Sequence, residues 1–329
     1  MTTAGDTPEP PPENISPSTP GSSPEHVSVL LAETLASLAL KPGDCAVDCT
    51  LGAGGHSASL INALKPGGRL IGLDVDPDAL ALARARLEPL ATANAVKLDL
   101  VHANFSTLVS ALQNIGAPAP NGILADLGVS SMQFDRPNRG FSFRFDEPLD
   151  MRMDPTLPMT AADILRTYSE EEIANVLYEL GEEHKSRRIA RAIVYRRKTK
   201  PVETTAELEE LVRYALRVRG HRHIHPATKT FQALRLAVNR EMESLAEFLE
   251  AAPEALAPEG TLAIISFHSL EDRQVKQRFK ALALTGRFQL VEKLLRPGDA
   301  ELERNPRSRS AKLRVIRKSS ERQARKGKY

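Results

Sequence analysis

The chain has 329 residues, more than one typical domain, and 41% of them are hydrophobic, enough for a substantial core. Its 44 Lys and Arg against 42 Asp and Glu leave a net charge of +2, so any argument for nucleic-acid binding must rest on local patches. No run of 18 or more apolar residues is present, which excludes a transmembrane helix.

Residues 1–25 hold seven prolines and no aromatic residue. Such a segment cannot bury enough surface to fold and reads as a disordered tail. It has neither a basic n-region nor an apolar h-region, so it does not read as a signal peptide, and a cytoplasmic location is expected. Both cysteines, Cys45 and Cys49, fall in the first strand candidate. Along a strand they stand about 13 Å apart, too far for a disulfide. Two cysteines alone do not make a structural zinc site, so reduced core thiols and no metal are expected.

Strand candidates at Cys45–Thr50, Arg69–Asp74, Val96–Ala103 and Gly122–Val129 alternate with helices near Gly55, after Pro77 and after Phe105. This order predicts an α/β fold with a doubly wound, mostly parallel sheet. From about Asp135 to His225 only helical signals follow. Ser169 and Glu172 form a capping box ahead of Ile173, Val176, Leu177 and Leu180. Thr204 and Glu207 repeat it ahead of Leu208, Leu211, Val212 and Leu216, with Gly220 as a stop. One long helix then carries Phe231, Leu234, Val238, Leu245 and Leu249 on one face. Strands resume at Gly260–Phe267, and Phe288–Leu295 and Lys312–Arg317 are available to close the sheet. The expected organisation is an α/β domain from 26–133 and 226–318, an inserted all-helical domain at 134–225, and a basic tail at 319–329.

Ligands of open α/β sheets bind beyond the carboxyl ends of the strands. The first strand candidate runs into Leu51-Gly-Ala-Gly-Gly-His56, a tight turn opening a helix, where free N–H groups and missing side chains let a ligand approach. The second ends in Asp74, nineteen residues after Gly55. An acid about 20 residues beyond such a turn can hold the hydroxyls of a ribose. Ser57 stands where a dinucleotide fingerprint would have its third glycine, which disfavours a nicotinamide oxidoreductase and favours S-adenosyl-L-methionine.

Phe105, after the third strand, is either an aromatic edge for adenine or a core residue. Asp126 ends the fourth strand and is either a carboxylate that orients an amine and takes its proton, or a turn or N-cap residue. His268 ends the fifth and is a base, an RNA contact or a turn residue. Residues 184–200 contain eight Lys or Arg in seventeen positions, including Lys185, Arg187, Arg188, Arg191, Arg196, Arg197 and Lys198, with no interleaved acid. Phosphate binding is favoured over a merely solvated face. A second basic cluster, Arg217 to His225, includes Arg222 and reads as a loop near RNA. A third spans Arg304 to Lys312.

Taken together, several segments resemble one family: His26-Val-Ser-Val-Leu-Leu-Ala-Glu33, the turn through His56, Asp126-Leu-Gly-Val-Ser-Ser131, Arg139-Gly-Phe-Ser-Phe143, Pro148-Leu-Asp-Met-Arg-Met-Asp154, His225-Pro-Ala-Thr-Lys-Thr-Phe-Gln-Ala233 and Ser266-Phe-His-Ser-Leu-Glu-Asp272. From about residue 25 to 318 the chain resembles the bacterial small-subunit ribosomal RNA cytosine-N4 methyltransferases, the RsmH or MraW family. The resemblance implies S-adenosyl-L-methionine as cofactor and methylation of the exocyclic N4 of a decoding-centre cytidine of 16S rRNA in the small ribosomal subunit. It implies cofactor contacts at Gly54, Gly55, His56, Asp74, Phe105, Asp126 and Gln133. It also implies a role in RNA recognition for the helical insertion, which makes the basic residues above and Lys229 candidate RNA contacts. Related N4-amine methyltransferases commonly carry Pro-Pro-aromatic after the strand-end acid. Here Leu-Gly-Val follows Asp126, so its role stays open between base and binding group. The oligomeric state stays open between monomer and homodimer. A non-catalytic RNA-binding module is the competing class, and the intact turn, Asp74 and Asp126 argue against it.

Overall fold

A computed structural model describes residues 28–129, 138–217 and 225–320. The expectations for the N-terminal tail, Gln133, Gly220, Arg222 and residues 321–329 fall outside them. After helix α1 (Leu31–Leu38), the chain alternates β1 (Cys45–Asp48), α2 (Gly55–Leu64), β2 (Arg69–Asp74), α3 (Pro77–Ala93), β3 (Lys97–His102), α4 (Leu108–Asn114) and β4 (Gly122–Asp126). Helices α5 (Ala161–Thr167), α6 (Glu170–Glu179), α7 (Ser186–Arg196), α8 (Thr205–Leu216), α9 (Thr228–Asn239) and α10 (Glu241–Ala255) follow. Then come β5 (Thr261–Ser266), α11 (Ser269–Leu284), β6 (Phe288–Leu295), α12 (Asp299–Arg304) and β7 (Lys312–Lys318).

The seven strands lie in the order β3-β2-β1-β4-β5-β7-β6. The first five are mutually parallel, and β7 and β6 join antiparallel at one edge. The strand order reverses between β1 and β4, which opens a crevice at their carboxyl ends. Because strand side chains alternate between faces, Cys45 and Val47 pack with Leu245, Phe248 and Phe279 on one side. Ala46 packs with Leu60, Leu64 and Leu87 on the other.

Both cysteines are buried and free. Burial pushes the Cys45 thiol up to about 11 and Cys49 well above the ordinary thiol range. The native protein is therefore expected to leave both thiols unreacted with a disulfide reagent at pH 8, and to release both on denaturation. Rapid native reaction at pH 8 would contradict the burial.

The capping boxes read at Ser169–Glu172 and Thr204–Glu207 are formed, with side chain and backbone bonded reciprocally. Each such cap stabilises its helix by about 1 kcal/mol. The long helix expected across residues 231–249 is two helices. Arg240 stands between them at φ 50°, a left-handed conformation that ends α9 and starts α10. Arg235 Nε donates to Glu241 Oε1 at 2.8 Å across the corner. The break separates two cores: Phe231, Leu234 and Val238 pack in a helical cluster with Ile164, Leu177, Ile189 and Leu208. Leu245 and Leu249 pack on the sheet. The helical core thus continues to Val238, beyond residue 225 where the sequence reading ends the insertion.

Among the described residues, polar contacts tie the helical part to the sheet domain at two places in particular. Arg139 Nη2 donates to Asp76 Oδ2 at 3.0 Å and to the carbonyls of Arg152 and Met153. Glu182 accepts from Ser269 Oγ and, at 3.1 Å, from Arg273 Nη2.

Candidate active site

Beyond β1 the chain doubles back through Gly52 and Gly54, at φ 50° and 77°, where an L side chain would meet its own backbone. Gly54 N donates to Leu51 O at 2.8 Å and closes the turn. A Cβ on Gly55 would lie 2.3 Å from Ser28 Oγ, so a side chain there would require the serine hydroxyl to move. The turn is also tied to β4, because Asp126 N donates to Thr50 Oγ1 at 2.6 Å. Asp74, at the end of β2, accepts from Gly52 N at 2.7 Å and from Asp76 N at 2.9 Å. Burial nonetheless raises its carboxyl to about 6, against both bonds.

Asp126 ends β4 with one carboxylate oxygen fully buried and without a hydrogen-bond partner, while the side chain keeps 24% exposure. Burial raises it to about 7, helped by Asp48 and Glu271 and opposed by His56. His56 Nε2 lies 2.9 Å from Val29 O, and a carbonyl only accepts, so this nitrogen carries the proton. In the neutral ring Nδ1 is then an acceptor, and it faces Asp126 Oδ2 at 3.8 Å. Asp48 behind them is buried, accepts from Ser57 Oγ at 2.7 Å, and is itself pushed up by burial. A proton placed on this cluster is therefore shared among acids that burial makes reluctant to ionise together.

Thr50, Gly52, Gly55, His56, Asp74 and Asp126 border one cavity of about 1030 Å³, whose walls also include Phe105, Phe143, Arg235, His268 and Arg307. That is at the upper end of small-ligand pockets, about 300–1,000 Å³, and leaves room for two ligands side by side. The polar groups converge on it from the ends of β1, β2, β4 and β5, where a doubly wound sheet binds its ligands.

A profile of the MraW methylase family matches residues 23–319. The chain belongs to this family. Among curated relatives, the "Ribosomal RNA small subunit methyltransferase H" of Symbiobacterium thermophilum is 46% identical over 308 residues, covering 88% of this chain and 96% of its own. That of Syntrophobacter fumaroxidans is 45% identical over 316 residues, covering 91% and 98%. That of Sorangium cellulosum is 47% identical over 294 residues, covering 89% and 91%. This MraW-family chain is accordingly a methyltransferase.

Within it, Gly55, His56, Asp74, Phe105 and Asp126 come together at the cavity. Gly54 does not: a Cβ there would sit 3.0 Å from Leu87, so it faces α3 and serves the turn. Phe105 is partly buried against the sheet core and also reaches the cavity. It packs edge-on against Phe248, centroids 5.3 Å apart. His268 is the N-cap of α11 in a capping box with Glu271 and lies 3.1 Å from its carboxylate. Burial works to raise the Glu271 carboxyl, but the His268 contact, Arg235 and the Phe267 amide together hold it below its ordinary value. His268 thus caps the helix and also borders the cavity.

Among the basic candidates, Lys185, Arg187, Arg188, Arg191, Arg196 and Lys198 are exposed on or beside α7, opposite the buried Ile189 and Ile193. Two further candidates have partners within the chain. Arg197 Nη1 donates to the carbonyls of Leu165 and Tyr168 at 2.7 and 2.6 Å, and Lys229 Nζ donates to Glu182 O at 2.9 Å. Both brace the chain. The acids missing from the run come from neighbouring helices: Glu170 lies 3.5 Å from Arg191, and Glu209 and Glu210 share a groove with Arg188 and Arg213. Glu209 also lies 3.0 Å from His225. Arg139 enters the sequence reading only within the segment Arg139–Phe143, and Arg235 and Glu241 are not singled out by it. They carry no motif, and their spacing acquires meaning only once the corner at Arg240 is made.

The raised carboxyls have a sign. A group whose folded pKa lies above its ordinary value contributes stability that is present at low pH and lost as pH rises through the folded value. For Asp126 that window runs from about 4 to about 7. Asp126→Asn, whose amide can donate to His56 Nδ1, is expected to melt about 2 °C or more above wild type at pH 8, with the gap closing by pH 4. A gap that stays constant from pH 4 to pH 8 would show that the Asp126 carboxyl is not raised.

Proposed function

We propose that this methyltransferase uses S-adenosyl-L-methionine to methylate the exocyclic N4 of a decoding-centre cytidine of 16S rRNA, in the small ribosomal subunit. The observation that carries the chemistry is Asp126, a buried carboxylate raised to about 7 at the end of β4, in the same cavity as the glycine turn and Asp74. The substrate reading is supported by relatives named for small-subunit ribosomal RNA and by the motifs that resemble the N4 family.

The residues present fit the cofactor. Asp74 is a partly buried carboxylate whose two oxygens each hold one backbone amide, which leaves lone pairs for two ribose hydroxyls. The Phe105 ring borders the cavity where an adenine would lie. When bound, the cofactor supplies an electrophilic sulfonium methyl. The chain's own residues must then position the cytosine amine, whose lone pair is delocalised into its ring. A carboxylate accepting from N4–H favours rehybridisation at nitrogen, and Asp126 near pH 7 can hold the released proton. His56, with Nδ1 facing Asp126, is placed to share it. No thiolate is needed, and both thiols are buried. To reach Asp126 the base must leave its stack. The exposed cations of α7 offer sites for the phosphates of a large RNA surface.

The test is transfer of labelled methyl from S-adenosyl-L-methionine to small subunits lacking the modification, with nucleoside analysis. Label in N4-methylcytidine is the expected product. Label in any other nucleoside, or none despite cofactor binding, overturns the proposal.

A further inference from the structure

The mouth of the cavity carries an aromatic ring that packing does not account for. Phe145 is 67% exposed and borders the same cavity as Asp126. Its companions in the run Phe141-Ser-Phe-Arg-Phe145 are both occupied. Phe141 is buried in the helical core, and Phe143 stacks on His225 with centroids 4.3 Å apart and meets Phe231 edge-on. The backbone under Phe145 is pinned: its carbonyl accepts from Thr205 Oγ1 at 2.7 Å, and that hydroxyl oxygen accepts in turn from Glu147 N at 3.1 Å. The ring is thus held out on a fixed support. Arg144 beside it, and Arg304 from α12, are exposed and border the same cavity.

We infer that Phe145 stacks on an unpaired base adjoining the target nucleotide, with Arg144 and Arg304 toward the flanking phosphates. This rests on the RNA reading above. A base lifted from its helix leaves its neighbour with an open face, and an aromatic side chain replaces that stacking whatever the base. An exposed phenyl flanked by guanidinium groups at the entrance of a base-sized cavity has the chemistry for a single-stranded nucleotide: a π-face for the base and cations for the backbone.

The experiment is methyl transfer to unmethylated small subunits by the full-length protein and its Phe145→Ala, Phe145→Leu and Phe145→Trp variants. Cofactor affinity and melting are measured on the same samples without RNA. We expect kcat/KM to fall roughly tenfold or more in Phe145→Ala. It should stay low in Phe145→Leu, which has apolar bulk but no π-face, and lie within about threefold of wild type in Phe145→Trp. Cofactor affinity and melting should be unchanged throughout. Wild-type rates in Phe145→Ala, or a leucine variant as active as the tryptophan one, would overturn the stacking role. If wild type itself transfers no methyl, the RNA reading fails and the inference fails with it. Transfer by wild type with an unaffected alanine variant removes Phe145 alone.

Discussion

Asp126→Asn is expected to lower kcat for methyl transfer by about 100- to 10,000-fold, the range supplied by a positioned general base. The substitution keeps shape and one acceptor oxygen, so the cytosine amine can still be oriented, but no proton can be held. Wild-type kcat should rise with pH through a group near 7, the value to which burial lifts Asp126. The variant should lose that limb. The Phe105 and Asp74 walls are untouched, so cofactor affinity should change far less than kcat. A variant within threefold of wild type, with the same pH profile, would assign Asp126 to binding alone. The Leu-Gly-Val that follows it, in place of Pro-Pro-aromatic, would then be read as the sign of that difference.

Asp74→Ala should weaken S-adenosyl-L-methionine by about 100-fold or more in direct titration. A hydrogen bond to a charged acceptor contributes about 1.5–3 kcal/mol, and two ribose hydroxyls would be lost together. The same carboxylate holds Gly52 N and Asp76 N, so its removal also loosens the glycine turn and the start of α3. Asp74→Asn separates the two effects, since its amide keeps one acceptor oxygen. Its affinity should fall between wild type and alanine, with melting near wild type. Tight binding retained in Asp74→Ala would remove Asp74 from the cofactor site.

Much of this was legible along the chain because it depends on local rules. The alternation of apolar runs with helical stretches depends only on side-chain periodicity, and the sheet is the expected doubly wound one. The capping boxes are contacts between residues three apart, so Ser169–Glu172 and Thr204–Glu207 could be read directly. The turn–acid spacing places the glycine turn and Asp74 beyond and at the ends of adjacent parallel strands, and β1 and β2 do pair in register.

The alternation of the first four strands with helices, the α/β class and the acids at strand ends were therefore written into the chain locally. Tertiary structure alone decided the corner at Arg240, because a left-handed arginine carries no local signal and is held by cores on either side. It decided that Arg197 and Lys229 donate to carbonyls of the chain, since their partners lie 29 to 47 residues away. It also decided the protonation of Asp126: a carboxylate's pKa follows from burial and from the charges around it, and Asp48, His56 and Glu271 meet it only when the strands are laid side by side.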